Sequence, residues 1–249
     1  MAKQLVERWN KPMMAMHWLH MVTCLILIVT GFRIYLGWGL PSTFSQARAL
    51  HMVAVTGFLV SWFILLPYAM GLEALEGIKH LGAKQGIKHF MKANLFTGDD
   101  VHRLKAAMLN FCGKQKEYPA LTIYNKKTGL YENKSHPVTK ILIPLEGVAV
   151  FLIAITGFVL YDLNWTVLGI NMGSIILGIA TSIGAVFGYS AMTLCRALHL
   201  GMMYLFILDL FIHVGILQAD PKVKQAWKAM FFTGKEDISA SPYAKVIKK

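Results

Sequence analysis

Four apolar runs, at about 13–36, 47–70, 138–161 and 194–217, dominate this chain, and each is long enough to cross the roughly 30 Å hydrocarbon core of a bilayer. A soluble domain has no use for so much continuous apolar sequence: 55% of the 249 residues are hydrophobic and 15% are charged. The expectation is an all-α membrane protein, a single integral domain over 1–249 built as a four-transmembrane-helix bundle. No cleavable signal pattern precedes the first run, which is therefore expected to stay attached as the first helix. Cys24, Cys112 and Cys195 lie far apart and form no C-x-x-C-H, so neither a disulfide framework nor covalent c-type haem is indicated.

Charge sets the expected orientation. Apart from Arg33, Arg48 and Arg196, every Lys and Arg lies before the first run, in or bordering the central segment, or after the last run. The positive-inside rule then places both termini, the loop 71–137 and the tail 218–249 in the cytoplasm. The apolar stretch 165–192, rich in glycine, must leave and return on the outer side as a re-entrant or surface-lying helical insertion. The net charge of +12 is accounted for by orientation and anionic headgroups, without nucleic acid.

The runs carry histidines and a repeat. Arg48-Ala-Leu-His51 opens the second run and Arg196-Ala-Leu-His199 the fourth, and His213 follows His199 by fourteen residues, nearly four helical turns and roughly 21 Å. Val29-Thr-Gly-Phe-Arg-Ile-Tyr35 recurs as Ile155-Thr-Gly-Phe-Val-Leu-Tyr161, and Lys92-Ala-Asn-Leu-Phe-Thr-Gly98 recurs as Lys228-Ala-Met-Phe-Phe-Thr-Gly234. Three signatures in one order imply a two-plus-two internal repeat. Half one carries His17 where half two has Ile143, and half two carries His213 where half one has Leu65. By depth, His51 and His199 pair toward the outer face and His17 and His213 toward the cytoplasm. Histidines inside a membrane are costly unless used. Two imidazoles per level, with no thiolate, suit two stacked six-coordinate haem irons that carry electrons. The competing reading is a set of helix-packing histidines, which is the one preferred for His20; His80, His89 and His102 are expected to be solvated.

Arg48 and Arg196 stand one turn before their histidines, placed either to pair a haem propionate or to snorkel to the interface. Glu146 and Asp209 are the acids inside the spans. They suit a proton path or the orientation of a ligand imidazole, against protonated acids bonded to their neighbours.

These residues resemble the di-haem cytochrome b membrane subunits of respiratory formate dehydrogenases, nickel-iron hydrogenases and thiosulfate reductases. The resemblance rests on Arg8, His17-Trp18, Arg48-x-Leu-His51, Thr156-Gly157 and His199-x13-His213, and covers most of the chain. It implies two non-covalent haem b groups, the outer on His51 and His199 and the inner on His17 and His213 near a quinone site. It also implies a prokaryotic inner (plasma) membrane location, an iron-sulfur subunit and a catalytic subunit as partners, and menaquinone or ubiquinone as electron acceptor. Three features depart from the family pattern: His136 stands where an asparagine contacting quinone is expected, followed by Lys140; the loop from about 71 to 135 is long; and 165–192 is extra.

The function expected is that of a di-haem b-type cytochrome subunit in a respiratory chain, transferring electrons between a catalytic complex and the quinone pool. Its haems do the redox work, and no residue of the chain is itself catalytic. One alternative is a stand-alone haem oxidoreductase with a soluble donor or acceptor. Another is a proton-coupled transporter, which the repeat allows but the two-layer placement of polar residues disfavours.

Overall fold

The computed structural model describes residues 4–116, 122–219, 227–239 and 244–247. Four of its helices are long and apolar enough to cross a membrane: Lys11–Leu36, Phe44–Leu81, Pro137–Tyr161 and Ala191–Gly215. The chain divides into two compact units, Met1–Ile143 with His213–Lys249, and Pro144–Ile212.

In the first unit, strand β1 (Leu5–Glu7) leads into helix α1 (Lys11–Leu36). Asn10 caps α1 by accepting the Met13 N–H at 2.8 Å, Pro12 sits in the first turn where a missing N–H costs nothing, and Gly37 stops the helix at φ 78°. Thr43 caps α2 (Phe44–Val60), which packs against α1. A π turn at Ser61–Leu65 joins α2 to α3 (Leu66–Leu81) without a break. It lies just ahead of Pro67, whose missing N–H forces the ladder to rearrange. The combined helix of 38 residues measures about 57 Å at 1.5 Å per residue, almost twice the hydrocarbon thickness. The span expected at 47–70 therefore lies within a longer helix that runs on to Leu81.

The long polar loop is structured. Helix α4 (Ala83–Asn94) folds back on α3, and the two backbones touch so closely that a Cβ on Gly86 would lie 2.5 Å from the Ile78 backbone. Helix α5 (Gly98–Phe111) begins with a capping box between Thr97 and Asp100. Strands β2 (Thr122–Asn125) and β3 (Leu130–Asn133) follow, before α6 (Pro137–Tyr161). The C-terminal segment returns to both small sheets: β6 (Lys235–Asp237) pairs antiparallel with β1, and β7 (Ala244–Ile247) parallel with β2. The membrane part is all-α, as expected, and the short strands belong to its polar margin.

The second unit holds most of α6 and of α8 (Ala191–Ala219), joined through a β4–β5 hairpin (Thr166–Val167, Ile170–Asn171) and α7 (Met172–Val186). Asn171 caps α7, and Gly173 lies so close under the Leu163 carbonyl that no side chain fits there. Val159, Ala180 and Cys195 form the core of this unit. At 15 residues, about 22 Å, α7 stops short of a bilayer's hydrocarbon thickness.

Candidate functional site

Within the first unit the structure brings the rings of His17 of α1 and His213 of α8 close together. Their ring centroids are 6.2 Å apart and the planes are tilted by 42°. The Phe231 ring stands edge-on to His17 at 5.3 Å, and the Trp18 indole N–H fixes that segment by donating to the Phe231 carbonyl at 2.9 Å. Two imidazoles in line across one six-coordinate metal, each with a metal–nitrogen bond of about 2 Å, have ring centres about 6 Å apart. The observed separation fits an iron held between the two rings.

His20, one turn further along α1, is engaged differently. Its Nδ1 accepts the Trp62 indole N–H at 3.1 Å. Indole is a donor only, so in the neutral ring the proton sits on Nε2 and neither nitrogen offers a lone pair. This favours His17 over His20 as a ligand.

The Arg-Ala-Leu-His histidines sit early in α2 and α8. In the first unit the His51 Nδ1 lies 2.8 Å from the Thr30 hydroxyl. In the second, the His199 Nδ1 lies 3.3 Å from the Thr156 hydroxyl and 3.1 Å from the Ile153 carbonyl. A Cβ on Gly157 would stand 2.9 Å from His199 Cε1, so the glycine makes room for the ring. Among the described residues no three His, Cys, Asp or Glu side chains converge as a metal site. Imidazoles offered in ones and twos suit a metal whose other ligands come from a macrocycle.

The model of the prokaryotic cytochrome b561 family matches residues 8–233. The chain belongs to that family. A cytochrome b561 of this kind carries b-type haem in a multi-pass membrane bundle, which the four apolar helices provide. The chain is 43% identical over 241 residues to the F420 non-reducing hydrogenase II cytochrome subunit of Methanosarcina mazei, covering 97% of this chain and 86% of that one. No solved structure matches.

The other candidate residues of this cytochrome b561 are placed as follows. Arg48 and Arg196 lie exposed near the starts of α2 and α8, one turn before their histidines. Glu146 and Asp209 share a side-chain hydrogen bond in the second unit, and the second oxygen of Asp209 is buried without a partner. Two carboxyls can share such a bond only if one carries a proton. His136 caps α6, its Nδ1 accepting the Val138 N–H at 3.2 Å. Burial, with the Arg103 guanidinium beside it, lowers its pKa to about 4. Lys140 is fully buried; its ammonium contacts Asp100 at 3.1 Å and donates to the Lys92 carbonyl at 3.1 Å.

Sequence reasoning passed over Thr30, Asp100, Trp62 and Phe231. Thr30 and Phe231 lay in plain view inside the repeated signatures, but a repeat does not say what a side chain touches. His89, expected to be solvated, is half-buried, with its Nε2 enclosed and without a partner.

Proposed function

We propose that this chain is the di-haem b-type cytochrome subunit of a membrane-bound, hydrogenase-type complex, passing electrons between an iron-sulfur partner of the catalytic subunit and a membrane quinone. The observation that carries the reading is the approach of the His17 and His213 rings to 6.2 Å. The similarity to the Methanosarcina mazei hydrogenase cytochrome subunit supports the class of partner. His17 and His213 are assigned as axial ligands of the inner haem; His51 and His199 are assigned to the outer one on the repeat and on their like hydrogen bonds. Bound haem supplies one-electron oxidation and reduction.

The chain's own residues do the rest. The Phe231 ring packs against His17 at 5.3 Å and lines that side of the imidazole. Arg48 and Arg196 offer guanidinium forks one helical turn from the outer pair, suited to propionates. Glu146 and Asp209 hold a proton between them, and they are assigned to the proton path of quinone reduction; His136 and Lys140, at the start of α6, are assigned to the same reaction from the sequence. Both termini are assigned to the cytoplasm from the distribution of Lys and Arg.

A pyridine haemochrome assay with a reduced-minus-oxidised spectrum on the detergent-purified chain tests this reading. The expected result is two b haems per chain with low-spin bands, falling to one in His51→Ala or His199→Ala. A haem-free chain would overturn it.

A further inference from the structure

The two outer histidines are held by the same device in two separate parts of the molecule, and the device decides which ring nitrogen can bind metal. Thr30 and Thr156 are the threonines of the repeated Thr-Gly-Phe signature, and their residues are 0% and 2% exposed. Each hydroxyl has one proton to give. Thr30 Oγ1 lies 2.6 Å from the Ile26 carbonyl one turn back, and Thr156 Oγ1 lies 2.6 Å from the Leu152 carbonyl. A carbonyl only accepts, so the hydroxyl proton is committed there. The remaining contact of each hydroxyl, to the histidine Nδ1, can then run only one way: the imidazole N–H donates and the threonine oxygen accepts. In the second unit this is over-determined, because His199 Nδ1 also lies 3.1 Å from the Ile153 carbonyl, which has nothing to donate. Both rings are thereby fixed with the proton on Nδ1 and the lone pair on Nε2.

We propose that Thr30 and Thr156 are positioning residues for the haem iron, fixing the tautomer of His51 and His199 and raising the basicity of each Nε2. The proposal rests on the assignment of those histidines as axial ligands. An N–H donated to a buried acceptor gives imidazole some imidazolate character, which favours the ferric over the ferrous state. Gly157 belongs to the same device, since any side chain there would displace the His199 ring from its hydrogen bonds.

Redox titration of the purified, haem-loaded chain, followed in the visible spectrum, tests this. Thr30→Val and Thr156→Val keep the shape and lose the acceptor; Thr30→Ser and Thr156→Ser keep the acceptor. Each valine variant is expected to retain two haems and to raise the midpoint of one. The expected size is a tenfold change in the ratio of ferric to ferrous affinity, about 59 mV for one electron. Serine should restore the wild-type value, and the other haem should not move. Electron paramagnetic resonance of the ferric state should show the same haem altered in both valine variants. If both haems are present and no midpoint moves, the positioning role is overturned while the haem assignment stands. If Thr30→Val and Thr156→Val move different haems, the pairing of His51 with His199 fails and the positioning role survives. Wild-type protein without haem overturns both. A helix-packing role would lower the melting temperature in alanine, valine and serine variants alike without shifting a potential, which also overturns the proposal.

Discussion

The two halves of the repeat agree at one level and part at another. At one level each half turns the threonine of its first span toward the histidine of its second, Thr30 to His51 and Thr156 to His199. At the other the register position of Glu146 is occupied in the first half by His20, and that of Asp209 by Ser61, next to Trp62. There an imidazole accepting from an indole in one half answers to two carboxyls sharing a proton in the other. The duplicated scaffold has kept its threonine–histidine contact and varied the polar pair at the other level. The comparison extends into the polar margin. Each half ends in a Thr-Gly followed two residues later by a buried acid, Asp100 or Glu236. Asp100 binds Lys140 in the first turn of α6, and Glu236 binds Arg8 just ahead of α1 at 2.9 Å. The end of each half is thus tied to the root of the other half's first span.

The sharpest break in the comparison is at the inner histidines. His17→Ala or His213→Ala should abolish one haem completely, while His20→Ala, a turn away, should keep both, read by haem-to-protein ratio. Loss of a haem in His20→Ala, with two retained in His17→Ala, would exchange the two roles.

Next in size are the two acids that close the halves. Asp100→Ala strands the buried Lys140 and Arg103, and Glu236→Ala strands Arg8. Removing one partner of a buried pair costs about 3–5 kcal/mol, so each variant should lower the melting temperature strongly and expose the α4–α5 region to protease. Replacement of both partners, Asp100→Leu with Lys140→Met, should recover most of the loss. If Asp100→Ala is harmful and Glu236→Ala is silent, the clamps are not equivalent.

Smaller again is the proton pair of the second half. Glu146→Gln and Asp209→Asn preserve hydrogen bonding but remove the exchangeable acid, and each should slow reoxidation by a quinone analogue at least tenfold with both haems and both midpoints unchanged. The counterpart change in the first half, Trp62→Phe, should leave that rate alone. Equal slowing in both would mean that the two levels do not differ in function.

The membrane helices were legible because apolar length is a local property of sequence. The threonine hydrogen bonds were not, although Thr-Gly-Phe stood out as a repeat. A hydroxyl's partner depends on how two helices are rotated against each other, and only packing sets that. The burial of Lys140 was hidden for a related reason: it stands at the start of an apolar run, and the acid that neutralises it lies forty residues back in a loop with no apolar signature. The continuation of α2 through α3 to Leu81 was masked because the apolar composition gives out after residue 70 while the helix does not.

The smallest expected effect concerns the root of the second half, where His136 caps α6 as Asn10 caps α1. An asparagine cap is indifferent to pH; a histidine cap is not. The His136 pKa is lowered to about 4 by burial and by Arg103, against an ordinary value of 6.5. Between those values the unfolded chain takes up a proton that the folded chain refuses, so stability falls as pH drops from about 6.5 toward 4 and is fully present above 6.5. Once protonated, Nδ1 can no longer accept from Val138, and the cap, worth about 1 kcal/mol, is lost. His136→Asn keeps an acceptor and removes the titration. Its melting temperature should match wild type at pH 7.5 and exceed it at pH 5, with the crossover inside that window. A difference that is the same at both pH values would mean that His136 stays protonated or neutral throughout and that the α6 cap is held by something other than its Nδ1.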